Sequence, residues 1–208
     1  QAGLADFVAS GYSAVAMEVS SHALALERVR GTAFAAGVFT NLGRDHLDLH
    51  GSMEAYFAAK ARLFGSEYSR MAIINGDDEW GQRLLSSISI PAHPYRVSEL
   101  SDISVEVDRH QYVWRGRQVN VPLGGAFNVA NSLAAAETSA ALGLVEADIV
   151  TALRDAPAVP GRFESIDGGQ SFSVVVDYAH TPDGLEAVLA TSRTAARGGR
   201  LLVVFGCG

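Results

Sequence analysis

An apolar run at residues 12–19, which we expect to be a buried strand, ends in side chains that could do chemistry. Residues 18–22, at the end of this run, read EVSSH and place the carboxylate of Glu18 beside the hydroxyls of Ser20 and Ser21. In open α/β sheets, ligands bind just outside the carboxyl ends of strands. The segment therefore predicts a ligand site, with the alternative that its serines only cap the next helix.

A short polar loop at residues 41–51 follows a second apolar run, residues 34–40. The loop holds two aspartates and two histidines: Asp45, His46, Asp48 and His50. Hard cations take oxygen ligands, and histidine is a common metal ligand. The composition predicts a divalent-metal or phosphate site, unless the loop is polar for solubility alone.

Lys60 is the only lysine among the 16 basic residues of the chain. It lies in a predicted helix from Ser52 to Phe64, on the same stripe as the apolar Met53 and Phe57. This spacing points Lys60 toward the sheet, whereas an ordinary helix lysine faces solvent. A buried lysine must be paired, neutral or modified.

Three later segments also carry polar groups at the ends of predicted elements. Asn128 and Asn131 share one face at a helix start, where their amides either meet an adenine edge or cap the helix. The segment VPGRFE contains Arg162, and Asp177 and His180 follow a predicted strand in DYAHTPD. Asp177 and His180 either face a ribose and phosphates or form a strand-to-helix turn.

The composition of the 208 residues, 48% hydrophobic and 19% charged, can bury a core. The net charge of −7 argues against a nucleic-acid binder or an anionic-membrane binder. The one cysteine, Cys207, excludes an internal disulfide and fits a reducing compartment. We find no apolar stretch of the roughly 20 residues that a membrane span needs.

Alternating strands and helices predict an α/β fold with a mostly parallel sheet, helices on both faces, and an antiparallel hairpin at its edge within residues 101–123. Pro157 and Pro160 mark a domain boundary near residue 158. The predicted strands cover residues 12–19, 34–40, 71–74, 162–167, 172–177 and 200–205. The predicted helices cover residues 4–10, 23–28, 52–64, 128–142, 146–154 and 183–196.

Six segments, in this order and spacing, resemble the Mur ligase family and its MurE type in particular: EVSSH, TNLGRDHLDLHG, YFAAKARLF, GAFNVAN, VPGRFE and DYAHTPD. The resemblance covers essentially the whole chain. It implies that residues 1–157 are most of the P-loop-type central ATPase domain and that residues 158–208 begin the Rossmann-like C-terminal domain. The chain has no GxxxxGK[ST] phosphate loop, which the family carries upstream, so we expect an internal fragment that is inactive alone.

The resemblance also implies a reaction in the bacterial cytoplasm during peptidoglycan synthesis. ATP, with Mg²⁺, activates UDP-N-acetylmuramoyl-L-alanyl-D-glutamate as an acyl phosphate, which the amine of a diamino acid attacks. The sequence does not distinguish meso-diaminopimelate from L-lysine as that amino acid. We expect a monomer without nucleic-acid or membrane partners.

The family's functional residues carry over to positions that match its motifs. Glu18, His46 and Lys60, the last as N6-carboxylysine, are implied to be catalytic and to bind Mg²⁺. Ser20 and Arg28 are implied to hold the muramoyl-dipeptide, although Leu26 replaces a glutamine that many members use there. The residues implied to contact the nucleotide are Asn128, Asn131, Arg162, Asp177 and His180. Asn41, Asp45 and Asp48 either act in the site or only stabilise the loop. We expect His50, His93 and His110 to be structural.

Three other interpretations remain open. The first is a related ligase with the same core, such as cyanophycin or folylpolyglutamate synthetase, against which DYAHTPD weighs. The second is a folded fragment without turnover. The third is a metal-dependent hydrolase, which the histidine-rich loop suggests but which leaves Lys60 and the asparagine pair unexplained.

Overall fold

A computed structural model describes residues 2–44 and 47–206. A parallel sheet has the strand order β1-β2-β3. Its strands are β1 (Gly37–Phe39), β2 (Ala72–Asn75) and β3 (Ala92–Tyr95). The helices of this part are α1 (Ala2–Ala9), α2 (Ser21–Ala25), α3 (Leu47–His50), α4 (Met53–Ala61) and α5 (Glu79–Leu85). A 3₁₀ turn, Arg62–Phe64, extends α4 to the end that the sequence predicts.

A second, antiparallel sheet follows with the strands β4 (Ser101–Val105), β5 (His110–Trp114) and β6 (Arg117–Val121). Two helices come next, α6 (Ala126–Ala141) and α7 (Glu146–Arg154). The last part contains the antiparallel pair β7 (Glu164–Ile166) and β8 (Val174–Val176), and then α8 (Pro182–Ala195). None of the helices in these described ranges is long and apolar enough to cross a membrane.

Two hydrophobic cores meet at β2, because alternate side chains of a strand point to opposite faces. Ile73 packs in a core with Tyr112 and Leu133, which belong to the antiparallel sheet and α6. Its neighbour Ile74 packs in the other core with Phe57 of α4. Both isoleucines are fully buried, so helices cover both faces of the parallel sheet and the predicted α/β class is confirmed.

The predicted strand at residues 12–19 is wrong in this structure, and so is the one at 200–205. Neither segment has a strand beside it among the described residues, and a strand needs a hydrogen-bonded neighbour. Their apolar side chains stay open to solvent, with Tyr12 61% and Val204 98% exposed. An apolar run shows that a segment can be buried, but it does not supply the neighbour that buries it.

The segments 101–123 and 41–51 also differ from expectation. Residues 101–121 form a separate antiparallel sheet of three strands, not a hairpin at the edge of the parallel sheet. The buried Tyr112 and Val119 belong to the same core as Leu133 of α6. The predicted loop contains the short helix α3. Other predictions hold closely: α7 has the predicted bounds, and Ser52 caps α4 by accepting a hydrogen bond from the Ala55 amide at 3.2 Å.

A buried polar network joins β5 to α6. His110, only 1% exposed, lies with Nδ1 2.6 Å from the Leu123 carbonyl and with Nε2 2.8 Å from Oγ of Ser132. Because a carbonyl only accepts, Nδ1 donates, and a neutral ring then accepts from Ser132 at Nε2. Tyr112 approaches the same hydroxyl at 3.1 Å. The expectation that His110 is structural agrees with this geometry.

The free energy of unfolding should therefore decrease as the pH is lowered, because His110 is buried in its neutral form. Burial lowers the pKa of His110 below its ordinary 6.5, opposed by the hydrogen bond to Leu123. The unfolded state then binds the extra proton, so stability is present above about pH 6.5 and is lost as the pH falls toward the folded pKa. We expect His110→Asn to reduce the drop in unfolding free energy measured by urea titration between about pH 7.5 and 5.5. The exposed-site control, His93→Asn, should keep the full drop, and an equal drop in His110→Asn would contradict this account.

Candidate active site

The carboxyl ends of the parallel strands form the edge at which the candidate site lies. The amide nitrogen of Asn75, at the end of β2, donates to the Thr40 carbonyl at 2.8 Å. The hydroxyl of Tyr95, at the end of β3, lies 3.5 Å from the Phe39 carbonyl. These contacts fix the start of the 41–51 loop directly beyond β1.

Lys60 faces inward, as its spacing predicts. It lines a cavity of about 40 Å³ together with Val19, Thr40 and Asn41. Its Nζ lies 5.4 Å from the centre of the Tyr56 ring, and its side chain is half-buried. The cavity thus brings together the residue after Glu18, the end of β1 and the inner face of α4.

A brace of four side chains, Ser21, His22, His50 and Tyr56, includes the ring that lies next to Lys60. The His50 ring stacks on Tyr56 with centres 5.0 Å apart, and its Nε2 lies 2.9 Å from Oγ of the buried Ser21. His22 meets His50 edge-on at 6.0 Å. The brace ties α2 to α3 and α4, so a structural part for His50 is consistent with its contacts. The sequence showed these residue types but not their stacking.

The other predicted residues of this part have distinct positions. Glu18 is exposed in a segment without regular secondary structure, next to the cavity-lining Val19. Ser20 caps α2, since its Oγ accepts from the Ala23 amide at 3.1 Å. Arg28 is exposed after α2, as is Leu26. The capping alternative for Ser20 is therefore realised, and an N-cap hydroxyl still has a lone pair for a ligand.

The structure leaves part of the predicted metal set undescribed. Asp45, His46 and Cys207 lie outside the described residues. Within residues 2–44 and 47–206, no three His, Cys, Asp or Glu side chains are grouped closely enough to hold a metal ion. The magnesium assignment therefore stays a prediction that depends on His46.

The asparagine pair sits at the start of α6, as predicted. The Asn128 amide donates to the Gly124 carbonyl at 2.6 Å and accepts from the Asn131 amide at 3.0 Å. Both polar atoms of Asn128 are therefore engaged within the turn. Asn131 is exposed.

Arg162, Asp177 and His180 lie together around Tyr178. The guanidinium of Arg162 lies 5.4 Å from the centre of the Tyr178 ring, and the His180 ring meets the same ring edge-on at 5.1 Å. Asp177 is used differently: its two carboxylate oxygens accept from the amides of Phe163 and Ala179, each at 2.7 Å. Asp177 thus ties the turn at 161–163 to the turn at 177–179.

Phe163 packs the turn at 161–163 against the start of α6. It is 2% exposed and meets the Phe127 ring edge-on at 5.6 Å. Its φ of 48° lies in the left-handed region, which is strained for a bulky residue. Gly125 makes room for it, because a Cβ there would lie 3.3 Å from the Phe163 ring. The Asp177 hydrogen bond therefore stabilises a strained residue. Phe163 joins the turn around Tyr178 to the start of α6, and these are the two segments that carry the predicted nucleotide-binding residues.

A contact that sequence reasoning missed links the loop after β1 to α8. The Asp183 carboxylate accepts from the Arg44 backbone amide at 2.8 Å and from its guanidinium at 3.1 Å and 3.3 Å. The Arg44 amide and then its guanidinium lower the pKa of Asp183. The only sequence signal was that Asp183 is the last residue of DYAHTPD.

We expect Asp177 to contribute to stability as well as to any ligand contact. Asp177→Ala should lower the unfolding free energy by about 1–3 kcal/mol, because two backbone amides lose their acceptor. The control is Asp167→Ala, which removes a carboxylate from an exposed turn at Gly169 and should cost less than about 0.5 kcal/mol. Equal denaturation midpoints for the two variants would show that Asp177 does not act as a tie.

Comparison with known proteins matches two parts of the chain to two domains of one family. Residues 1–139 match the Mur ligase middle domain, and residues 161–208 match the Mur ligase, glutamate ligase domain. A relative from Thermosynechococcus vestitus is 46% identical over 100% of this chain and 44% of its own length. A relative from Syntrophomonas wolfei is 44% identical over 93% of this chain and 42% of its own. Both are named UDP-N-acetylmuramoyl-L-alanyl-D-glutamate--2,6-diaminopimelate ligase.

A solved structure with that same name superimposes with a TM-score of 0.74 at 32% identity. The match covers 91% of this chain and 42% of that one. The chain thus spans less than half the length of the curated relatives it matches. The domain matches cover nearly the whole sequence, and the chain belongs to the Mur ligase family.

Proposed function

We propose that this chain is part of an ATP-dependent ligase that adds 2,6-diaminopimelate to UDP-N-acetylmuramoyl-L-alanyl-D-glutamate. The observation that carries the proposal is the placement of Lys60, the only lysine, in one cavity with Val19 and Asn41. The names of the relatives favour diaminopimelate over L-lysine. They also favour this ligase over cyanophycin or folylpolyglutamate synthetase and over a hydrolase.

In the proposed reaction, the γ-phosphoryl group of ATP passes to the D-glutamyl carboxylate and ADP leaves. An amine of diaminopimelate then attacks the acyl phosphate, and phosphate leaves as the amide forms. Phosphoryl transfer needs positioning and charge neutralisation more than a protein nucleophile. The residues of this chain would therefore act mainly by holding charges in place.

Glu18, His46 and Lys60 are proposed to hold Mg²⁺, which would neutralise phosphate charge. The inward position of Lys60 supports a metal-binding role only if its amine is modified, because an ammonium group repels a cation. The neutral amine would form a bond to the carbon of CO₂ and release a proton, which gives an anionic carbamate whose oxygens suit a hard metal. Ser20 and Arg28, both exposed near the cavity-lining Val19 in sequence, are proposed to hold the precursor.

The nucleotide is proposed to lie between the start of α6 and the turn around Tyr178. The exposed Asn131 would meet the adenine, while Asn128 orients Asn131 through their hydrogen bond. Arg162 and His180 would approach the ribose and phosphates. Asp177 would act there mainly by fixing Phe163, since both its oxygens already accept backbone hydrogen bonds.

The proposal extends to organisation and context. We propose a domain boundary near residue 158, a monomer, and work in the bacterial cytoplasm without nucleic-acid or membrane partners. The 208 residues alone should show no turnover, because they contain no GxxxxGK[ST] phosphate loop. Precursor-dependent ADP formation by these residues alone would contradict that part.

Lys60 gives the sharpest test in the full-length ligase. Lys60→Ala should abolish precursor-dependent ADP formation while the thermal unfolding midpoint stays nearly unchanged. Short carboxylic acids in the buffer should partly restore the rate, because they fill the vacated space and supply oxygens. Lys60→Arg should be inactive and should not be rescued, since a guanidinium stays protonated and cannot take up CO₂. Near-normal turnover by Lys60→Arg would show that Lys60 is only a packed helix residue without the proposed role in metal binding.

A further inference from the structure

Arg44 and Asp183 form a contact between residues that are 139 positions apart in the sequence. Arg44 lies in the loop after β1, and Asp183 lies in the first turn of α8. The two residues belong to the two different Mur ligase domain matches. Among the ion pairs of the described residues, this one alone joins residues 1–157 to residues 158–206.

The geometry of the contact fixes the backbone as well as the side chain. One oxygen of Asp183 accepts from the Arg44 backbone amide at 2.8 Å, and the other accepts two guanidinium hydrogen bonds. The main chain immediately before Asp45 and His46 is thereby held against α8.

The Asp183 side of the contact is itself rigidly placed. Thr181 caps α8 by accepting from the Gly184 amide at 3.2 Å, which orients the turn that carries Asp183. A carboxylate in the first turn of a helix also interacts favourably with the helix dipole. The same 177–184 segment carries Asp177 and His180 of the proposed nucleotide set.

The solvent exposure of the Arg44–Asp183 pair argues against a large contribution to stability. The side chain of Arg44 is 73% exposed and that of Asp183 is 34% exposed. Ion pairs this open to solvent contribute little to stability. A bidentate contact with a backbone hydrogen bond does, however, define a geometry.

We propose that Arg44 and Asp183 are positioning residues for the ligase reaction. Their contact sets the loop that carries His46 against the segment that carries His180, so that the two halves of the site face each other. This inference rests on the proposed function for its effect on rate, but the contact itself is independent of that function.

The test uses the full-length ligase with the variants Arg44→Ala, Asp183→Ala and the double variant. Each single variant should lower kcat for precursor-dependent ADP formation by about 10- to 100-fold, because small misplacements of reacting groups are costly. The KM for ATP should change by less than about threefold, and the unfolding midpoint should stay the same. The double variant should be no slower than the single variants, since both remove one contact. Asp183→Asn should be intermediate, because its amide oxygen still accepts the Arg44 amide.

The matched control is Arg154→Ala, which breaks the Arg154–Asp155 pair at 2.9 Å and 3.2 Å. That pair is also bidentate and exposed, but it joins adjacent residues. Arg154→Ala should keep kcat within about twofold of the parent enzyme. The same kcat in Arg44→Ala, or losses that multiply in the double variant, would overturn the positioning role.

Amide hydrogen exchange separates this inference from the proposed function. Exchange in residues 41–50 should be faster by about tenfold in Asp183→Ala and unchanged in Arg154→Ala. If the parent enzyme makes no ADP from the precursor, the proposed function fails and this exchange result alone decides whether the contact exists. Unchanged exchange in Asp183→Ala would overturn the contact whatever the activity.

Discussion

The burial of β2 on both faces is the constraint on which the rest of the structure depends. Ile73 and Ile74 are fully buried in different cores, and each such side chain contributes about 1.5–3 kcal/mol relative to exposure. Because β1 and β3 pair with β2 in parallel, their carboxyl ends meet at one edge. Asn75 then uses that edge to hold the Thr40 carbonyl, so the position of the site follows from the packing of one strand.

Polar contacts transmit this placement to groups that the strands do not reach. The stacking of His50 on Tyr56 relates α3 to the helix that carries Lys60. Asp177 holds the strained Phe163 against the start of α6, and Asp183 holds the loop before His46. The proposed chemistry needs charges held at fixed distances, and these contacts, rather than any single core, relate the two parts of the chain.

Local signals in the sequence predict the local structure well. Ser52 and its spacing predict α4, the apolar stripe predicts the inward face of Lys60, and the bounds of α7 match. The errors arise where structure depends on a distant neighbour. Residues 12–19 are apolar enough for a strand but lack a described ladder partner, and the Arg44–Asp183 contact spans 139 residues without a periodic pattern to reveal it. The double use of the Asp177 oxygens is equally invisible in sequence, because the type of a residue does not show how many partners it has.

We propose that Glu18, His46 and a carboxylated Lys60 converge on one cavity and bind Mg²⁺ there. Anomalous diffraction from crystals of the full-length ligase, grown with Mn²⁺ in place of Mg²⁺ and a non-hydrolysable ATP analogue, tests it most directly. We expect an anomalous peak within about 2.5 Å of oxygen or nitrogen atoms of Glu18 and His46, with continuous density for a carboxylate on the Lys60 amine close to it. An unmodified Lys60 amine, or a metal peak away from Glu18 and His46, would contradict it.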